Sequence, residues 1–216
     1  MLRNKAFLGF GAVLMLTGLP AFSYQGGVDQ GNIQIVVGSS AEDRALDAVS
    51  GIASDFLRAH QLPVERRASV LRMVFERAVD WGFVFRNSVP PDLLDAISDN
   101  ERRALAEAIL RDTALGYSTA FPHYSGEQLD VTDVSTLGQG VFRVTTRLLG
   151  PDFELVEIAW IVSVPASGNT VLRDIVIDGG SMLATQQLYL GTLWSEVDRS
   201  KDAFMQRITS ADPWAE

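Results

Sequence analysis

The chain of 216 residues contains no cysteine. That excludes disulfides, thiolate metal sites, a cysteine nucleophile and the acylated cysteine of a lipoprotein, so an exported form must be held by its core alone. Histidine is nearly as scarce. His60 and His123 stand far apart without an HExxH or paired acidic spacing, and each reads as a surface or capping residue rather than a metal ligand. No Walker sequence occurs, and Gly138-Gln-Gly140 lacks the third glycine of a dinucleotide loop. Basic residues are outnumbered, 18 against 27 acidic ones, for a net charge of −9. Such a chain is repelled by nucleic acid and by anionic membrane surfaces. There is no internal repeat, heptad array or low-complexity tract.

Only one long apolar run is present, from Ala6 to Leu19, about 14 residues and short of the roughly 20 that span a bilayer. With Arg3 and Lys5 before it and the small residues Ala21 and Ser23 after it, residues 1–23 read as a secretory signal peptide cut after Ser23. Cleavage would remove Arg3 and Lys5 and leave a charge of −11. Residues 24–40, rich in Gly and Gln, read as a flexible leader with a short Ile33–Val37 strand, and residues 41–216 as a single domain. A hydrophobic content of 47% allows a sizeable core in a domain of that size.

The first half of that domain has helical periodicity. Ala45, Val49, Ile52, Ala53, Phe56 and Leu57 recur at helical spacing between Ala41 and His60, and Pro63 ends the run. Leu71, Val74, Phe75 and Ala78 mark a second helix over Val64–Asp80. The aromatic stretch Trp81–Phe85 reads as a helix end or short connector, reset by Pro90-Pro91. A further helix runs from Asn100 towards Phe121, capped by Ser98 or Asp99. After Pro122 the period changes to two, predicting strands over Gln128–Val134, Val141–Leu149, Leu155–Val164 and Val171–Asp178. The connections are too short for crossover helices, so the sheet should be an antiparallel meander. One face of it is apolar and needs a cover. The preceding helices and a closing helix over Ser181–Trp194 can supply it, giving an α+β domain with helices packed on one face of a curved antiparallel sheet of about four strands.

Candidate chemistry is sparse. Ser181 lies in Gly-Gly-Ser-Met-Leu, where a nucleophile elbow would need Gly at Leu183, and it reads as the N-cap of the last helix. Asp174 is either a carboxylate satisfied by helix or loop donors or the base of an isomerase or hydratase, with Tyr117 as a second acid/base candidate. Arg143 and Arg147 form either a solvated strand face or a phosphate-pairing pair at a pocket mouth. A partner-binding adaptor with a filled core is a third possibility.

The segment Asp174-Ile-Val-Ile-Asp-Gly-Gly-Ser-Met-Leu183 and the helix after it resemble the closing part of the MlaC family, periplasmic proteins also called toluene-tolerance proteins. The likeness extends to the Arg102-Arg103 start of the pre-sheet helix, to Tyr124-Ser-Gly126, to Phe142-Arg-Val-Thr-Thr-Arg147 and to Trp160. It is poorer before residue 98. The resemblance implies a non-enzymatic shuttle that encloses the acyl chains of a phospholipid between sheet and helices. About 32 chain methylenes at roughly 0.8 kcal/mol each leave such a lipid on the order of 25 kcal/mol worse off in water than in an apolar site, hence the carrier. The lining would comprise Phe142, Val144, Leu148, Val156, Ile158, Trp160 and Val162 from the sheet, Tyr117 and Phe121 from the pre-sheet helix, and Met182, Leu183 and Leu190 from the last. Arg143 and Arg147 would meet the headgroup. The implied partners are an inner-membrane ABC-transporter complex with its lipid-binding ring protein and an outer-membrane lipoprotein–porin complex, the lipid traffic maintaining outer-membrane asymmetry. No catalytic residue, metal or cofactor beyond the phospholipid cargo is implied.

Overall fold

The computed structural model describes residues 40–120, 128–149 and 156–210. The expected signal peptide, the leader up to residue 39, Phe121, His123 and the Tyr124-Ser-Gly126 segment lie outside the described residues.

Helix α1, Ala41–His60, starts at a capping box: Ser40 Oγ accepts from Asp43 N–H, and Asp43 accepts from Ser40 N–H at 2.9 Å. Pro63 precedes α2, Val64–Ala78. The aromatic stretch expected to be a helix end or short connector is instead a helix of its own, α3, Trp81–Ser88. Asp80 makes the difference, because its side chain accepts from Phe83 N–H at 2.9 Å and caps a segment whose aromatics alone carry little helix propensity. Pro91 at the first position opens the short α4, Pro91–Ala96. Helix α5, Asp99–Ala120, begins with Ser98 and Glu101 exchanging hydrogen bonds.

The sheet is an antiparallel meander of order β1-β2-β3-β4-β5, comprising Gln128–Gly138, Val141–Leu149, Val156–Ser163, Val171–Ile177 and Gly180–Ser181. The two-residue β5 is additional to the four strands expected. Strand β1 also runs further than its sequence suggested, up to a turn in which Gly138, Gln139 and Gly140 all have positive φ. At Gly140 a Cβ would stand 2.9 Å from the Val164 carbonyl oxygen, so glycine is required there. Helix α6, Met182–Glu196, follows directly, with Ser181 Oγ accepting from Ala184 N–H as its N-cap. A last helix, α7, Lys201–Ser210, has no counterpart in the expectations drawn from sequence.

Among the described residues, the buried apolar side chains form two main clusters. One joins the apolar face of β2, β3 and β4 (Val144, Leu148, Ile158, Trp160, Val162, Leu172, Ile175) to α1, α2 and the C-terminal half of α5. The other is made of helices: Leu93 of α4, Leu105 and Ile109 of α5, Leu190, Leu193 and Trp194 of α6, and Phe204, Met205 and Ile208 of α7. Helices α5 and α6 reach into both.

Candidate functional site

Alternation along β2 and β3 points Phe142, Val144, Thr146 and Leu148 and, beside them, Val156, Ile158, Trp160 and Val162 towards the helices. Val144, Leu148, Ile158, Trp160 and Val162 are buried, while Phe142 and Val156 are half-buried against them. Trp160 is 2% exposed, and its indole Nε1–H donates to Thr146 Oγ1 at 2.9 Å, which in turn donates to the Ile158 carbonyl. The polar edge of the largest side chain in this face is thereby satisfied.

From the helical side, Tyr117 packs edge-on against Phe56 and Phe75, with ring centroids 5.7 and 5.2 Å away. Burial, and secondarily the Asp174 charge, push the Tyr117 hydroxyl above its ordinary pKa. His60 is 3% exposed, which corrects its reading as a surface residue. Its Nδ1 lies 2.9 Å from the Phe56 carbonyl and its Nε2 3.2 Å from that of Tyr117, so the ring bridges the C-terminal turns of α1 and α5 as a cap.

Met182 and Leu183 of α6 pack against this same cluster. Leu190 does not: it belongs to the helical cluster with Leu193 and Phe204. Two turns of helix separate it from Met182 and Leu183. The register also sets Arg143 and Arg147 on the face of β2 turned away from the lining. There Arg147 stands between Asp130 of β1 and Glu157 of β3, as a strand surface of alternating charge would. Among the described residues, no group of His, Cys, Asp or Glu could hold a metal ion. No described helix is long and apolar enough to cross a membrane.

Where α1 passes over the β1–β2 edge, the layers leave a gap of about 140 Å³ lined by Val49, Ser50, Ala53, Ser54, Leu57, Leu129, Val131 and Thr146. Among the described residues, no charged group lines it. Sequence reasoning did not pick out this set, although Ser50, Ala53, Ser54 and Leu57 do form a stripe at helical spacing whose small members are what leaves the space. The gap is smaller than the roughly 300 to 1,000 Å³ of ordinary ligand pockets. It opens from the solvent side onto the cluster that contains Trp160.

Asp174 is fully engaged in structure. Its Oδ2 accepts from Ser181 Oγ at 2.6 Å and its Oδ1 from Leu183 N–H at 3.0 Å, fixing the N-terminus of α6 to β4.

Residues 48–201 match the family model of the MlaC protein. The chain belongs to the MlaC family. Among solved structures, it is similar to a phospholipid-binding protein from Ralstonia solanacearum, determined in complex with a phospholipid at 1.53 Å resolution. The two are 12% identical with a TM-score of 0.59, over 79% of this chain and 95% of the other, which establishes a shared fold. No curated protein matches the chain. For this family member, then, the α+β architecture expected from the sequence is the architecture found, with the sheet's apolar face under the helices.

Proposed function

We infer that this protein binds a diacyl phospholipid by its tails, between the apolar face of β2–β4 and helices α1, α2 and α5, and carries it through the periplasm. The observation that carries the reading is the gap at the α1–β1 seam, uncharged and continuous with a sheet face of large apolar side chains. Family membership and the phospholipid held by the Ralstonia solanacearum protein of the same fold support it. Tyr117, Phe142, Val144, Leu148, Val156, Ile158, Trp160, Val162, Met182 and Leu183 would line the loaded cavity. At 140 Å³ the gap is too small for two acyl chains, so loading moves α1 outward from the sheet. The inner-membrane ABC-transporter complex with its ring protein and the outer-membrane lipoprotein–porin complex are the partners this reading assigns, with export through the residues 1–23 signal.

The isomerase alternative needs a free general base. Asp174, its candidate, has both oxygens committed to α6, and Tyr117 has a pKa raised away from the neutral range, which favours a binding protein over an enzyme. Native mass spectrometry and organic-solvent extraction of protein gently purified from the periplasm test the proposal. The expected result is one diacyl lipid per chain. An empty extract favours the adaptor with a filled core, and a polar metabolite favours the enzyme.

A further inference from the structure

Helix α6 uses a single face for two jobs. Met182 and Leu183 at its start pack into the sheet cluster, and Leu190, Leu193 and Trp194 further on pack into the helical cluster. Gln186 lies on that same face, four residues after Met182, three after Leu183 and four before Leu190. It therefore sits where the two apolar clusters meet, as does Trp81 of α3, which packs against both. A glutamine is a poor choice for such a place. The residue is half-buried, and its side-chain Nε2 is sealed from solvent with no hydrogen-bond partner among the described residues. Buried amide donors are almost always paired, and leaving one unpaired is destabilising. Arg173 Nε of β4 is likewise without a hydrogen bond, but it has the Asp80 carboxylate at 3.5 Å and the Phe83 ring under its guanidinium, so its charge is compensated. Gln186 Nε2 has no such compensation among the described residues.

An unused donor beside a proposed lipid cavity fits an acceptor that arrives with the ligand. We propose that Gln186 donates its amide N–H to an ester carbonyl of the bound diacyl lipid, and so recognises the junction between acyl tail and glycerol. This rests on the phospholipid reading above and refines it. The phosphate is the wrong partner for this position. A charged group drawn between two apolar clusters would need a cation beside it, whereas a neutral carbonyl needs one neutral donor. The tails themselves offer no acceptor. The ester carbonyls are the neutral acceptors that must enter with the tails, so Gln186 would separate ester-linked lipids from hydrocarbon-like or ether-linked ones.

The test is competitive loading of the delipidated protein from vesicles of equal parts diacyl phosphatidylglycerol and its dialkyl ether analogue of matched chain length, read by extraction and mass spectrometry. The wild-type chain should take up the diacyl form in about fivefold excess, the ratio one neutral hydrogen bond supplies. Gln186→Leu should lose the preference, and Gln186→Met with it, while the lipid-free variants melt no lower than wild type because an unpaired buried donor has been removed. Equal uptake of the two lipids by the wild-type chain would overturn the role of Gln186 and leave phospholipid carriage standing. Uptake of neither lipid would overturn both. Lower melting of both lipid-free variants would show that the amide is bonded within the protein, and would overturn the role as well.

Discussion

Trp160 concentrates the tension between a core and a cavity in one side chain. It is 2% exposed, it lies on a central strand between β2 and β4, and its indole N–H is satisfied by Thr146, which also lines the α1–β1 gap. In the lipid-free chain, Trp160→Ala should therefore behave as a core truncation and cost roughly 3 to 5 kcal/mol. In the loaded chain an acyl segment can occupy part of the vacated volume, so the loss should be smaller. Chemical denaturation of stripped and loaded samples of the same variant measures the difference. Equal losses in both would show that no lipid reaches Trp160. The position of Trp160 was legible in the alternation of β3, because a period of two assigns a face without knowledge of the partner. The place of Leu190 was not. A period of 3.6 says that Leu190 shares a stripe with Met182 and Leu183, but not that the stripe is divided between two clusters.

Among the elements, the helices whose ends carry strong caps and whose faces carry regular apolar spacing were readable: α1 ends where Ala41–His60 was expected, and α5 begins beside Ser98. Helix α3 was missed because its signal is a single Asp80 cap before a run of aromatics. Helix α7 was missed because it is short, and its stability comes from docking Phe204, Met205 and Ile208 onto α5 and α6. That docking includes an ion pair across elements, Lys201 Nζ to Glu101 Oε1 at 2.8 Å, and the Lys201 hydrogen bond, followed by those from Ser98, draws the Glu101 carboxyl down to about 2 from an ordinary 4.5. A carboxyl with a lowered folded-state pKa contributes stability that is fully present above its unfolded value and disappears as pH falls through the folded one. The stability advantage of wild type over Glu101→Gln should thus hold near neutrality and shrink between pH 4.5 and about 2. Denaturant melts of both chains across that range check it. A gap that stays constant down to pH 2.5 would mean that the pair does not clamp α7. Because the pair is only half-buried, high salt should narrow the gap at any pH.

For the molecule as a whole, the antiparallel order of the sheet and its helical cover followed from short connections and one apolar face. The seam between α1 and β1 did not, since it depends on where two segments far apart in sequence come to rest. Charge is the other whole-molecule property, and it bears directly on the loading proposed above. With 27 acidic against 18 basic residues, the chain is repelled by an anionic bilayer, and Arg147, flanked by Asp130 and Glu157, presents no unopposed positive patch. Direct collection of lipid from such a bilayer should be slow. Raising salt from about 0.01 to 0.15 M shortens the screening length from roughly 30 to 8 Å and weakens the repulsion. Transfer of a fluorescent phospholipid from vesicles rich in phosphatidylglycerol to the delipidated protein should therefore accelerate with salt, while transfer from vesicles of phosphatidylcholine alone should not change. Slowing with salt on the anionic vesicles would reveal an attractive basic contact, and would show that membrane encounter, not net charge, governs loading.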